Sequence, residues 1–167
     1  MDQMNTTPDP QDHAEIAALI SGLFRALDDR HFEEGWADAY FTDDLHVTTP
    51  VGEADGAEAI RLAQEAVGRF AATLHISSDI LVHTAPDART ADVRWNAHMT
   101  HVHRDTTLRA RGAGANPLFT VGGVYEGRLR RTERGWRFSG MAVRAVWTTG
   151  EPPVGKARDV DADQQSY

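Results

Sequence analysis

Histidine is the side chain that titrates nearest neutral pH, and this chain carries eight in 167 residues, with no cysteine. Without cysteine there are no disulfides, thiolate nucleophiles, zinc–thiolate sites or iron–sulfur clusters. Proton transfer between imidazole and carboxylate is the chemistry most available. In the segment 91–104, Val93, Trp95, Ala97 and Met99 alternate with Arg94, Asn96, His98 and Thr100. Period two then puts His101 and His103 on the apolar face and His98 on the other. An imidazole that continues an apolar stripe must find a hydrogen-bond partner or lower its pKa. It is either a satisfied half-buried histidine or a pocket residue that binds or protonates a substrate oxygen. His98, His101 and His103 also spell HxxHxH. On a regular strand His98 cannot join the other two, and two imidazoles alone make a poor metal site. No metal and no cofactor are expected. His75 opens the preceding strand. Its parity partners Ser77 and Asp79 are polar while Ile76, Ile80 and Val82 take the other face, so alternation directs His75 outward. Strand starts are often bulged, which leaves that direction open. Asp28 and Asp29 close the first helical pattern. Asp29 reads as a solvated helix end. Asp28 sits at the edge of the apolar stripe and can face the interior, where pairing with an imidazole would raise the imidazole's pKa.

These groups need elements to hold them. From His13 to Arg30 the apolar residues Ile16, Leu19, Ile20, Leu23, Phe24 and Leu27 form one helical stripe, with Asp9-Pro10 or Asp12 as its cap. A short helix is expected over His31–Tyr40, where Phe32, Trp36 and Tyr40 recur every fourth residue. A short strand is expected over Leu45–Thr49, and a third helix over Gly56–Ala72 on Ile60, Ala63, Val67 and Phe70. Four long strands follow, at Leu74–Thr84, Ala91–Arg104, Leu118–Arg130 and Trp136–Thr148. Gly122-Gly123 marks a bend or a close backbone approach. Residues 105–117 read as a Gly/Ala/Arg loop able to act as a flap over a cavity mouth. Helices first and meandering strands after imply an α+β fold: a curved antiparallel or mixed sheet with helices covering one side. Such a sheet encloses a conical pocket, the default place for a ligand. Residues 13–149 form the domain, between tails at 1–12 and 150–167.

Lys+Arg total 17 against 25 Asp+Glu, a formal net charge of −8 that argues against nucleic acid and anionic membrane as partners. The opening MDQMNTTPDPQD has no basic or apolar region of the signal-peptide kind, and no run approaches a membrane span. A cytoplasmic location is expected. No dinucleotide fingerprint, phosphate-binding loop or nucleophile elbow is present.

The segment IAALISGLFRALDDRHFEEGWADAYFTDDLHV resembles the opening of SnoaL-like domains in the nuclear-transport-factor-2-like superfamily. Gly56–Ile60, the T-x-H-x-x-S of Thr73–Ser78, Pro117–Tyr125 and Gly135–Thr148 extend the resemblance over roughly residues 13–149. It implies a cone-shaped α+β barrel with three N-terminal helices. The nearest branch is that of scytalone dehydratase and bile-acid dehydratase, in which an Asp on the first helix pairs with a His that opens a long strand. By that resemblance Asp28 and His75 form the proton-moving dyad, against the parity reading of His75, and His101 is a second pocket histidine. Where those dehydratases carry a tyrosine just before the Asp, this chain has Leu27. The implied activity is that of a cofactor-independent lyase or isomerase: a dehydratase, isomerase or cyclase working on a hydrophobic oxygenated molecule, such as a polyketide- or steroid-like ring. Tyr40, Trp95, Met99, Phe119 and Tyr125 would line the substrate site, with Tyr40 or Tyr125 assisting at the oxygen. The same pocket could bind a small molecule without turnover. Exposed Val and Trp on the strands, together with superfamily habit, imply a homodimer through the sheet.

Overall fold

A computed structural model describes residues 9–153. The first helix, α1 (Pro10–Asp29), starts three residues earlier than its apolar stripe indicates. Asp9 caps it by accepting from the Gln11 N–H at 2.9 Å, and Pro10 takes the first helical position, where a missing N–H costs nothing. Asp12 is buried, accepting from the Trp136 indole and pairing with Arg131, so the start of α1 is tied to the far end of the sheet. Ile16, Ile20, Leu23 and Phe24 are the buried stripe. The expected second helix shrinks to a 3-10 turn at Trp36–Ala39, entered through Gly35 at φ 78°.

Strand β1 (Phe41–Thr49) begins earlier than expected and turns back into β2 (Gly52–Asp55). Helix α2 (Gly56–Gly68) follows without a loop. Gly56 makes this possible: its φ is +47°, and a side chain there would press on the Asp43 carbonyl. Then come β3 (Ala72–Thr84) and β4 (Thr90–Val102). Next is a short helix, α3 (Asp105–Arg111), in the segment expected to be loop. The last strands are β5 (Leu118–Thr132) and β6 (Gly135–Thr149).

The six strands run in the order β2-β1-β6-β5-β4-β3, with β1 and β6 parallel and every other pair antiparallel. The fold is thus three helices on a mixed sheet, the expected α+β cone. The sheet is open rather than closed into a barrel, with β2 and β3 as its edges. Between sheet and helices lies one core of Ile16, Ile20, Phe24, Leu45, Val93, Trp95, Leu129 and Phe138.

Strand β4 keeps its phase throughout: Ala91, Val93, Trp95, Ala97 and Met99 are all buried. Strand β3 does not. Thr73, His75 and Ser77 point inward at first, leaving Leu74 50% and Ile76 52% exposed on the outer face. Between Ser78 and Leu81 the register against β4 slips, and Asp79 sits at φ 52°. One extra residue on β3 exchanges its faces, so Val82 is buried and Leu81 exposed. Parity counted across that bulge sends His75 outward, and the structure corrects it. The Gly122-Gly123 signal is borne out: register with β6 shifts there, and the Trp147 ring lies where a side chain at Gly122 would stand.

Candidate active site

The C-terminus of α1 delivers Asp28 to the inner face of β3. Arg30 ends the helix in the left-handed region at φ 56°. Its guanidinium holds this uncommon backbone in place by donating to the Leu27 carbonyl at 2.6 Å, the Asp28 carbonyl at 3.1 Å and the Val67 carbonyl at 2.8 Å. All three lie in the last turn of a helix, Leu27 and Asp28 in α1 and Val67 in α2, where carbonyls lack intrahelical partners. The same guanidinium donates to Thr73 Oγ1 at 3.0 Å, which directs the Thr73 hydroxyl proton onto Asp28 Oδ1 at 2.8 Å.

His75 lies two residues beyond Thr73 on the same face. Its Nδ1 is 2.6 Å from Asp28 Oδ1, and its backbone N–H donates to Asp28 Oδ2 at 2.8 Å. A carboxylate only accepts, so Nδ1 carries the proton and the Nε2 lone pair of the neutral ring is left for chemistry. Both side chains are only 6% exposed. Burial pushes the Asp28 carboxyl up. The hydrogen bonds from the His75 ring and backbone, with that from Thr73, more than offset this, and its pKa lies below the usual 3.8. Asp28 is therefore a buried carboxylate, charged at neutral pH and satisfied by three donors.

Register places the other residues. Thr73 faces His101 and His101 faces Phe119, while His75 faces Met99. The His75 and His101 rings meet edge-on with centroids 5.8 Å apart. His101 Nδ1 lies 3.0 Å from the Phe119 carbonyl, an acceptor, so it too carries its proton on Nδ1. Burial lowers the His101 pKa below 6.5, outweighing the bond to Phe119. Phe70 packs on its ring at 4.5 Å. Phe24 packs on His75 at 5.1 Å, on Tyr125 at 5.6 Å and on Trp95 at 6.4 Å. Trp95 and Tyr125, opposite each other on β4 and β5, are stacked at 4.9 Å. Burial pushes the Tyr125 phenol up to about 12, so it keeps its proton.

Asp28, His75, His101, Trp95, Met99, Phe119 and Tyr125 thus gather on the inner surface. Tyr40 does not. Its hydroxyl is spent on the Gly22 carbonyl at 3.1 Å, and its ring joins Trp36 and Phe41 beside α1. There it lines a groove of about 330 Å³ with Trp36, Arg25 and His31. A second concavity, of about 700 Å³, lies on the outer face among Asp92, Arg94, Glu126 and Arg128. Neither includes Asp28, His75 or His101.

His103 belongs to the structure of the domain. It is buried against Phe70, with Nε2 2.9 Å from the Glu151 carbonyl and 3.0 Å from Arg111. Arg111 also reaches Glu151 and the Pro152 carbonyl, pinning α3 to the chain beyond β6. His98 is on the outer face, 5.6 Å from Trp147. Among the described residues no three His, Asp or Glu side chains come together as a metal site. The sequence reading missed Arg30, Phe24 and the hydroxyl of Thr73. Thr73 has a signal, lying two residues from His75 on one strand face. Arg30 has none, because its value comes from the carbonyls it meets.

A profile of the SnoaL-like domain matches residues 9–142. No curated protein matches the chain. A Kribbella flavida protein superposes with a TM-score of 0.73 at 19% identity, over 83% of this chain and 93% of its own. A candidate scytalone dehydratase of Novosphingobium aromaticivorans gives 0.68 at 23% identity, over 88% and 95%. A hexachlorocyclohexane dehydrochlorinase, LinA type 2, gives 0.68 at 19% identity, over 90% and 96%. Among the described residues no helix is long and apolar enough to cross a membrane.

Proposed function

The chain belongs to the SnoaL-like domain family, and from that premise we propose that it is a cofactor-free acid–base enzyme with Asp28 and His75 as its proton-transfer pair. The substrate class is an apolar, oxygenated small molecule such as a polyketide- or steroid-like ring, and the reaction a dehydration, isomerisation or ring closure. The carrying observation is the 2.6 Å contact between two side chains, each almost fully buried. Burying a carboxylate and an imidazole costs free energy that a solvated helix end avoids, and active sites are where such arrangements concentrate.

His75 Nε2 removes a proton alpha to a carbonyl. The C–H electron pair becomes the new C=C bond and the carbonyl pair moves to oxygen. Asp28 stabilises the imidazolium through Nδ1–H and holds the ring's orientation. In a dehydration the enolate re-forms the carbonyl and expels the oxygen beta to it, which takes the proton back from His75 and leaves as water. His101 in its neutral form has no proton at Nε2. It therefore accepts from a substrate hydroxyl rather than protonating the leaving oxygen.

The test uses 2-tetralone, a flat ketone with acidic α-hydrogens, in deuterated water. The protein should exchange those hydrogens, and His75→Ala and Asp28→Asn should slow the exchange on the order of 10²–10⁴-fold. Variants that exchange as fast as the parent would remove the dyad from the chemistry. A binding role without turnover has one observation in its favour, that neither concavity includes the dyad. It predicts that 2-tetralone binds with its hydrogens unexchanged.

A second copy of the chain is proposed as the partner, seated on the outer face of the sheet. Leu74, Ile76 and Trp147 (46%) are exposed there, which is unusual for large apolar side chains gathered on one sheet face. Sedimentation should give a dimer that Ile76→Lys with Trp147→Lys turns into a monomer. A monomeric parent protein would overturn this.

A further inference from the structure

Trp95 is fully buried, at 0% exposure, yet its Nε1–H has no acceptor. Buried polar groups are nearly always paired, and an unpaired one at the centre of a core needs a reason. The stacked Tyr125 is in a similar condition: its hydroxyl reaches only the thioether of Met99, at 3.5 Å, and sulfur is a weak acceptor that yields readily to oxygen. These two donors come from facing positions on β4 and β5. The Phe24 ring packs near all three, with centroids 6.4 Å from Trp95, 5.6 Å from Tyr125 and 5.1 Å from His75.

We propose that the Trp95 indole N–H and the Tyr125 phenol O–H are the donor pair that receives the substrate's carbonyl or phenolic oxygen while His75 takes the proton. This deepens the dyad reading and rests on it. It narrows the substrate to a flat, largely apolar molecule that presents one carbonyl or phenolic oxygen, lying against Phe24. When the proton goes to His75 the electron pair ends on that oxygen, and two fixed donors in an apolar interior stabilise the charge formed there. Nothing is oxidised or reduced. An otherwise wasteful N–H is then satisfied only when substrate is bound.

The experiment uses 4-nitrophenol, whose ionisation is read by absorbance and whose oxygen mimics an enolate. Bound to the protein it should be phenolate to a greater degree than free dye at the same pH. The Trp95 indole N–H resonance, identified by its loss in Trp95→Phe, should move downfield on binding. Trp95→Phe and Tyr125→Phe should each weaken phenolate binding about tenfold or more. Benzothienylalanine at position 95 keeps the ring's shape without its N–H, so it should be at least as resistant to denaturant as the parent, an outcome a tryptophan whose N–H is paired in the free protein would not give. If Trp95→Phe does not fold, because trimming a fully buried ring leaves a cavity, that analogue carries the binding measurement. Dye binding that leaves the indole resonance unmoved, a Trp95→Phe variant that binds as tightly as the parent, or no dye binding at all overturns the proposal. Asp28→Asn in the same assay separates the two readings. If it leaves the phenolate fraction unchanged the dyad fails, while the indole shift is judged by itself.

Discussion

Two adjacent strands each bring one histidine to the same interior, and they do it in opposite ways. Strand β4 runs without interruption, so His101 continues the stripe of Trp95 and Met99 and rests on a peptide carbonyl. Strand β3 is broken by the bulge at Asp79, and His75 rests on a carboxylate from α1. The imidazole with a neutral partner is held uncharged by burial. The imidazole with the charged partner has a counter-ion for the proton it gains. The strand geometry and the partner, rather than the residue type, divide the labour.

The largest expected effect falls on one side of that comparison. Loss of the dyad by His75→Ala should cost on the order of 10²–10⁴-fold in 2-tetralone exchange, and His101→Phe only about tenfold. Equal losses would erase the distinction between base and helper.

Next comes the bulge. Deleting Asp79 removes the extra residue, so Ser77, Ile80 and Val82 then fall on alternate positions of a regular strand and every inward side chain keeps its face. Deleting Asn96 from the unbroken β4 instead turns either Val93 and Trp95 or Met99 and His101 to the wrong face, at a cost of about 2–5 kcal/mol read from the urea midpoint. A deletion at Asp79 as damaging as the one at Asn96 would mean that the extra residue is not what lets His75 and Val82 share the inner face.

A smaller effect is expected at Thr73→Val, which leaves Arg30 one acceptor short and Asp28 one donor short. About 1–3 kcal/mol of stability should go, together with a rise in the Asp28 pKa visible by NMR titration. His101 and its carbonyl should be untouched.

The smallest effect is in the pH dependence. The His101 pKa is depressed, so above 6.5 its contribution is fully present, because the ring is neutral in both folded and unfolded chains. As pH falls below 6.5 the unfolded chain takes up a proton that the native one resists, and stability declines until the native value is passed. Asp28 has the same sign lower down, beneath 3.8. His101→Phe should flatten the first decline in a series of denaturant midpoints and leave the second. A first decline that survives the substitution would assign it to another group.

Much of this was legible in the residues. The spacing of Ile16, Ile20, Leu23 and Phe24 gives α1, and the alternation of Val93, Trp95, Ala97 and Met99 gives β4, because each pattern is local and uninterrupted. The order of helices and strands gives the α+β class. Strand β3 misleads because one residue, Asp79, exchanges its faces, and no local count marks a bulge in a stretch as mixed as HISSDILVH. Tyr40 misleads because a tyrosine's role depends on where its hydroxyl can go, and Gly22 claims it.

What the sequence determined by itself is the set of faces: which side of each regular helix or strand is apolar, and therefore that acid–base groups at Asp28 and His101 stand at the edge of a core. The tertiary structure decided the partnerships. Asp28 and His75 lie 47 residues apart, and Arg30 and Thr73 lie 43 apart. Trp95 and Tyr125 became a pair of unspent donors only when β4 and β5 came into register. Periodicity is a property of one element, while hydrogen bonds between elements depend on how several of them dock, and that information is held by the whole chain at once.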